Sequence, residues 1–108
     1  MKKLDEKYEY LKKYAKYSEE IETLEQLDVN YTVICRIQML QSNCKRILDC
    51  ICNVKDSNAR NMLIQKYVLG RTNEKIAERT AYSVRTVQRF IRQGVEELVI
   101  ISLPYQNL

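Results

Sequence analysis

Arg85, Gln88, Arg89 and Arg92 fall at i, i+3, i+4 and i+7, so on a helix they share one face. That face holds long hydrogen-bond donors and no carboxylate. Arg matches the acceptors of guanine and Gln those of adenine in the major groove, so the chemistry offered is base reading. A merely solvated face more often mixes both signs, as the first thirty residues do here. Val87, Ile91, Gly94 and Leu98 follow one another at four, three and four residues, and give the same helix an anchoring side.

Other residues that could do chemistry are arranged against it. There is no His, no glycine-rich phosphate loop and no paired-Cys motif, so the sequence reads as a non-enzyme with no cofactor and no metal. Cys35, Cys44, Cys50 and Cys52 point in four directions on a helix and cannot share one ion. They read as small apolar fillers in a reducing compartment, with an intermolecular disulfide after oxidation as the alternative. Glu19, Glu20, Glu22 and Glu25 read as a solvated helix face. Tyr8, Tyr10, Tyr14 and Tyr17 read as amphipathic packing residues rather than a platform for stacking bases.

An arginine face reads DNA only if a framework holds it out. Ser83 can cap the start of this helix, and Thr72 can cap a short helix over Asn73–Arg79 before it. Thr80-Ala81-Tyr82 between them is about the length of the turn in a helix-turn-helix. Ser57 or Asp56 caps a supporting helix from about Asn58 to Leu69, which Gly70 ends. Its expected core partners are Ile76, Ala77, Tyr82, Val87 and Ile91. The last helix is expected to continue through Val95, Leu98, Val99, Ile100, Ile101 and Leu103 until Pro104. That end is apolar nearly all round and should pack on the N-terminal half, on a second subunit, or on both.

Gly70-x-Thr72-x-Glu74-x-Ile76-Ala77, then Tyr82-Ser83-x-x-Thr86-Val87, then Leu98, resembles the helix-turn-helix of bacterial sigma-factor region 4. The spacing agrees without a gap over twenty-nine residues. Ala81 departs from the family, which usually has the turn glycine at this position, because the backbone there tends to need a positive φ. Gly94 departs where relatives usually have alanine. Over the whole chain the layout resembles the ArpU/RinA-type phage late-gene regulators, through Leu11-Lys12-Lys13-Tyr14 and Ile21-Glu22-x-Leu24 as well as the C-terminal unit. The resemblance implies a phage or prophage transcriptional regulator.

The first half reads as helix. From Lys3 to Leu27, Tyr10, Tyr14, Tyr17, Ile21 and Leu24 keep the 4-3-4-3 spacing of a coiled-coil seam, beside a stripe of Leu4, Tyr8, Leu11 and Ala15. Val33, Ile37, Leu40, Cys44, Ile47, Ile51 and Val54 form a second seam, widened by Ile34 and Leu48. The phase breaks near residues 28–31, where Asp28 and Asn30 are both N-cap candidates. This implies an antiparallel hairpin, with one unbroken helix of about fifty residues in a parallel dimer as the alternative.

The expected architecture is all-α: a coiled-coil-like helical hairpin over residues 1–54, used for dimerisation, and a helix-turn-helix DNA-binding region over 55–108. Net charge supports the division. Residues 1–54 hold nine basic and nine acidic residues, and 55–108 hold nine and five, so the net +4 lies in the second half. Arg85, Gln88 and Arg89 are assigned to base edges, and Arg71, Thr72, Lys75, Ser83, Thr86 and Arg92 to phosphates. Double-stranded DNA is the expected partner. A homodimer is expected because one module makes few contacts, through the Val33–Val54 seam or the Val99–Leu103 end, with RNA polymerase as a further candidate partner. A protein-contact adaptor or host-factor antagonist, and a small-terminase-like packaging protein, are the alternatives. The N-terminus lacks a signal-peptide h-region and no apolar run spans a bilayer, so a cytoplasmic location is expected.

Overall fold

The computed structural model describes residues 2–101. Five α-helices appear in order: α1 Lys2–Leu24, α2 Tyr31–Cys52, α3 Ser57–Leu63, α4 Asn73–Thr80 and α5 Val84–Glu97. No strand occurs among the described residues.

Helices α1 and α2 pack on each other as a hairpin. α1 stops at Leu24, three residues earlier than its charge and propensity suggest. Asn30, not Asp28, starts α2, its side chain accepting from the Val33 N–H at 3.1 Å. From Leu40 onward the second seam is the buried face of α2: Leu40, Cys44, Ile47 and Ile51 are all buried. This corrects the expectation that the Val33–Val54 seam is a dimer surface, since α1 and α3 already cover most of it. Ile34 was expected to widen that stripe, but it is 41% exposed and faces away from it.

Asp56, rather than Ser57, caps α3, accepting from the Asn58 and Ala59 N–H groups at 2.9 and 3.1 Å. The bond from Ala59 first, and then one from the Gln93 side chain, hold its carboxyl below the usual carboxylate range. The expected α-helix to Leu69 loosens after Leu63 into a π-helical turn, Ile64–Val68, closed by Leu69 N–H donating to the Ile64 carbonyl. Gly70 then takes φ +70° and releases the chain. The Arg71 N–H reaches back to the Gln65 carbonyl at 2.9 Å. Gln65, buried, also accepts from the Arg71 guanidinium at 3.1 Å.

One core joins the two halves. Leu11 from α1, Ile47, Cys50 and Ile51 from α2, and Val54 just after it lie in the same cluster as Ala59, Met62, Leu63, Ile76, Val87, Ile91 and Val95. At that level of burial each large side chain stabilises the fold by roughly 1.5–3 kcal/mol. The hairpin is therefore the base on which α3 to α5 stand.

The last helix is shorter than expected. It ends at Glu97, and Leu98 is already extended at φ −62°, ψ 133°. The run Val99-Ile100-Ile101 is β-branched throughout and favours extended backbone. Extension also solves the burial problem. Leu98 points into the core, Val99 is exposed, Ile100 packs against the core and Ile101 is exposed again, the two-residue alternation of an extended segment. A helix would have turned this apolar run to water on every side. Leu103 and Pro104, the expected end of the helix, lie outside the described residues.

Candidate nucleic-acid interface

Two capped helix starts lie close in sequence. The Thr72 hydroxyl oxygen accepts from the Lys75 N–H at 3.2 Å and starts α4. The Ser83 hydroxyl oxygen accepts from the Thr86 N–H at 3.1 Å and starts α5. Between them the chain turns at Ala81, which holds φ 63°, ψ 16° in the left-handed region. The turn is thus the geometry usually given to glycine, with an alanine carrying the strain. Within α4 the Thr80 hydroxyl donates to the Ile76 carbonyl at 2.7 Å.

α5 has two faces. Val87, Ile91, Gly94 and Val95 are buried against α3 and α4. Gly94 matters because α3 passes so close that a Cβ there would meet Leu63 Cδ1 at 2.9 Å. Arg85, Gln88, Arg89 and Arg92 are all exposed on the opposite side. Arg85 and Gln88 make no hydrogen bond or ion pair with any described residue. Arg89 holds its guanidinium 6.0 Å from the centre of the Phe90 ring. Arg92 lies 3.7 Å from the Glu96 carboxylate, an exposed pair that a phosphate can displace.

The supporting contacts are tertiary. Gln93 donates to Asp56 Oδ2 at 2.9 Å, which ties the middle of α5 to the cap of α3. Lys7 of α1 donates to the Glu96 carbonyl at 2.9 Å, and its charge suits the negative end of the helix. The orientation of α5 is therefore coupled to the hairpin.

The residues assigned to phosphates surround the two helix starts. Thr72 and Lys75 are exposed, and Arg71 is half-buried through its bond to Gln65. Lys75 lies 3.6 Å from Glu78. Ser83 and Thr86 divide their chemistry. Ser83 spends its hydroxyl proton on Thr86 Oγ1 at 3.0 Å, so the proton left to point outward is that of Thr86. The first backbone N–H groups of α5 also lack helical partners and present partial positive charge.

Tyr82 corrects one expectation. It was placed in the core and is 40% exposed, its ring tilted against Phe90 with centroids 5.5 Å apart. This aromatic pair flanks α5 beside Arg89 and was not anticipated. The available signal was that neither Tyr82 nor Phe90 falls on the Val87–Ile91 stripe. Lys66 was also missed as a neighbour of α4. It donates to the Asn73 side chain at 2.9 Å, seven residues on and across the turn at Gly70.

No family model matches the chain, and neither a curated protein nor a solved structure matches it. Among the described residues no group of His, Cys, Asp and Glu could hold a metal, and no described helix is long and apolar enough to cross a membrane.

Proposed function

We propose that the chain is a sequence-specific DNA-binding transcriptional regulator that reads the major groove with α5. The observation that carries this reading is the division of one short helix. Its aliphatic side is buried, and its other side presents three arginines and a glutamine, all exposed, with the one acid on that face, Glu96, at its far end beside Arg92. Arg85, Gln88 and Arg89 lie on the first two turns, the part of a recognition helix that reaches base edges. Arg71, Thr72, Lys75, Thr86 and Arg92 surround them as phosphate contacts, and Ser83 acts mainly by capping. Phosphate contacts would set the position of the protein and the α5 side chains would set the sequence. The phage or prophage origin, and the candidate contact with RNA polymerase, rest on the resemblance of residues 70–98 to sigma region 4 and of the whole chain to the ArpU/RinA type.

The test is the salt dependence of duplex DNA binding. Three phosphates neutralised by Arg71, Lys75 and Arg92 would make the logarithm of the association constant fall with the logarithm of salt concentration at a slope of about −3 per chain. Absence of salt-dependent binding would instead favour a protein-contact adaptor.

A further inference from the structure

Of the three α5 side chains assigned to base edges, one is already held in place. Arg85 and Gln88 make no hydrogen bond, ion pair or ring contact among the described residues. The Arg89 guanidinium instead lies over the Phe90 ring, 6.0 Å from its centre. Phe90 is itself fixed. It is half-buried and packs against the common core. The Tyr82 ring leans on it, with centroids 5.5 Å apart and planes tilted by 53°, an arrangement that aromatic pairs favour. Tyr82 stands just before the Ser83 cap, so this brace joins the turn to the second turn of α5.

On the reading of α5 as the base-contacting helix, we propose that Phe90, braced by Tyr82, is a positioning residue for Arg89. Arg89 then makes the strongest single base preference of the site, for a guanine. A free arginine samples many rotamers, and reaching a base edge costs that freedom. The electron-rich ring face attracts the cation and removes part of the cost before DNA arrives. Arg85 and Gln88 bear it in full. The ring also holds Arg89 by charge alone and takes up none of its N–H groups. The whole guanidinium fork remains for the O6 and N7 acceptors of a guanine in the major groove. Arg92 differs, because its pair with the Glu96 carboxylate must open before it can bind an anion.

The experiment selects duplexes from a random pool with the full chain, then measures binding to the selected site and to its single base-pair changes. The wild type is compared with Arg89→Ala, Phe90→Leu, Phe90→Tyr and the double variant Arg89→Ala with Phe90→Leu. The largest single preference of the wild type is expected at a G·C pair that Arg89→Ala no longer distinguishes. Phe90→Leu keeps an apolar side chain on the core but removes the ring. It is expected to weaken the preference at that pair by about two- to fivefold and to leave the other positions unchanged. Phe90→Tyr keeps the ring and is expected to keep the preference. In the Arg89→Ala background, Phe90→Leu is expected to change nothing at that pair, because the two residues act as one unit. If Phe90→Leu does not fold, Tyr82→Leu at the exposed brace takes its place, with the loss expected at the same pair. A stronger preference at a pair that Arg89 does not read would overturn the proposal, as would an equal loss at every position, or an equal loss with and without Arg89. In each of those cases α5 would still read DNA. A wild type that enriches no motif would overturn that reading and the role of Phe90 with it.

Discussion

Leu63 on α3 occupies the space that a side chain at Gly94 on α5 would need: a Cβ there would lie 2.9 Å from Leu63 Cδ1 and 3.3 Å from the Ala59 carbonyl. The close approach of these two helices sets the height at which α5 stands above the core. Gly94→Val is expected to destabilise the protein by about 1–3 kcal/mol, through overpacking against a fully buried leucine. Urea denaturation followed by circular dichroism checks this. An unchanged midpoint would mean that α3 and α5 are not held this closely in solution.

Ala81 is the one residue other than glycine with a positive φ among the described residues. An L-residue there bears a steric cost that glycine escapes. Ala81→Gly should therefore stabilise the fold, by roughly 1 kcal/mol before the entropy that glycine gains in the unfolded chain is subtracted. The same denaturation experiment reads it. A clear loss of stability would mean that the turn in solution is not left-handed at this position.

Tyr67 is more than half covered beside α1, and that burial pushes its phenol up from 10.0 to about 12. A raised pKa in the folded state means that the unfolded chain loses this proton first. The stabilisation it represents is complete below pH 10 and is lost as pH rises through about 12. Tyr10 and Tyr14, raised for the same reason, act in the same direction. Stability measured from neutral to alkaline pH should fall in this window, and less steeply in Tyr67→Phe than in the wild type. Identical slopes would show that the hydroxyl of Tyr67 is open to water in the folded protein.

What could be read beforehand was whatever depends on neighbours in the chain. Thr72 and Ser83 cap within three residues of themselves, and Gly70 ends its helix alone, so each was legible from position and type, whereas position and type left Asn30 level with Asp28. The arginine stripe of α5 was legible too, because exposure on a short helix follows from the spacing of its aliphatic residues. Contacts between distant segments were not. Lys7 meets Glu96 across 89 positions and Gln93 meets Asp56 across 37, and neither pair carries a local signal. The early end of α5 was missed because an apolar run can be buried either as a helix or by extended alternation. Only the tertiary surroundings decide between them, where Leu98 is buried in the common core and Ile100 packs against it. Tyr82 was expected inside as a core partner of the supporting helix. It is instead exposed, with its ring tilted against Phe90, which itself packs on the core.

The assignment of α5 to base reading is tested most directly by selecting bound duplexes from a random pool with the wild type, Arg89→Ala and Lys75→Ala. The wild type should enrich a defined motif. Arg89→Ala should lose preference at one base pair, at a cost of about 1–3 kcal/mol on the selected site, while Lys75→Ala keeps the motif and binds every sequence more weakly. No enrichment by the wild type, or an equal loss of affinity on all sequences in Arg89→Ala, would contradict the reading of DNA by this helix.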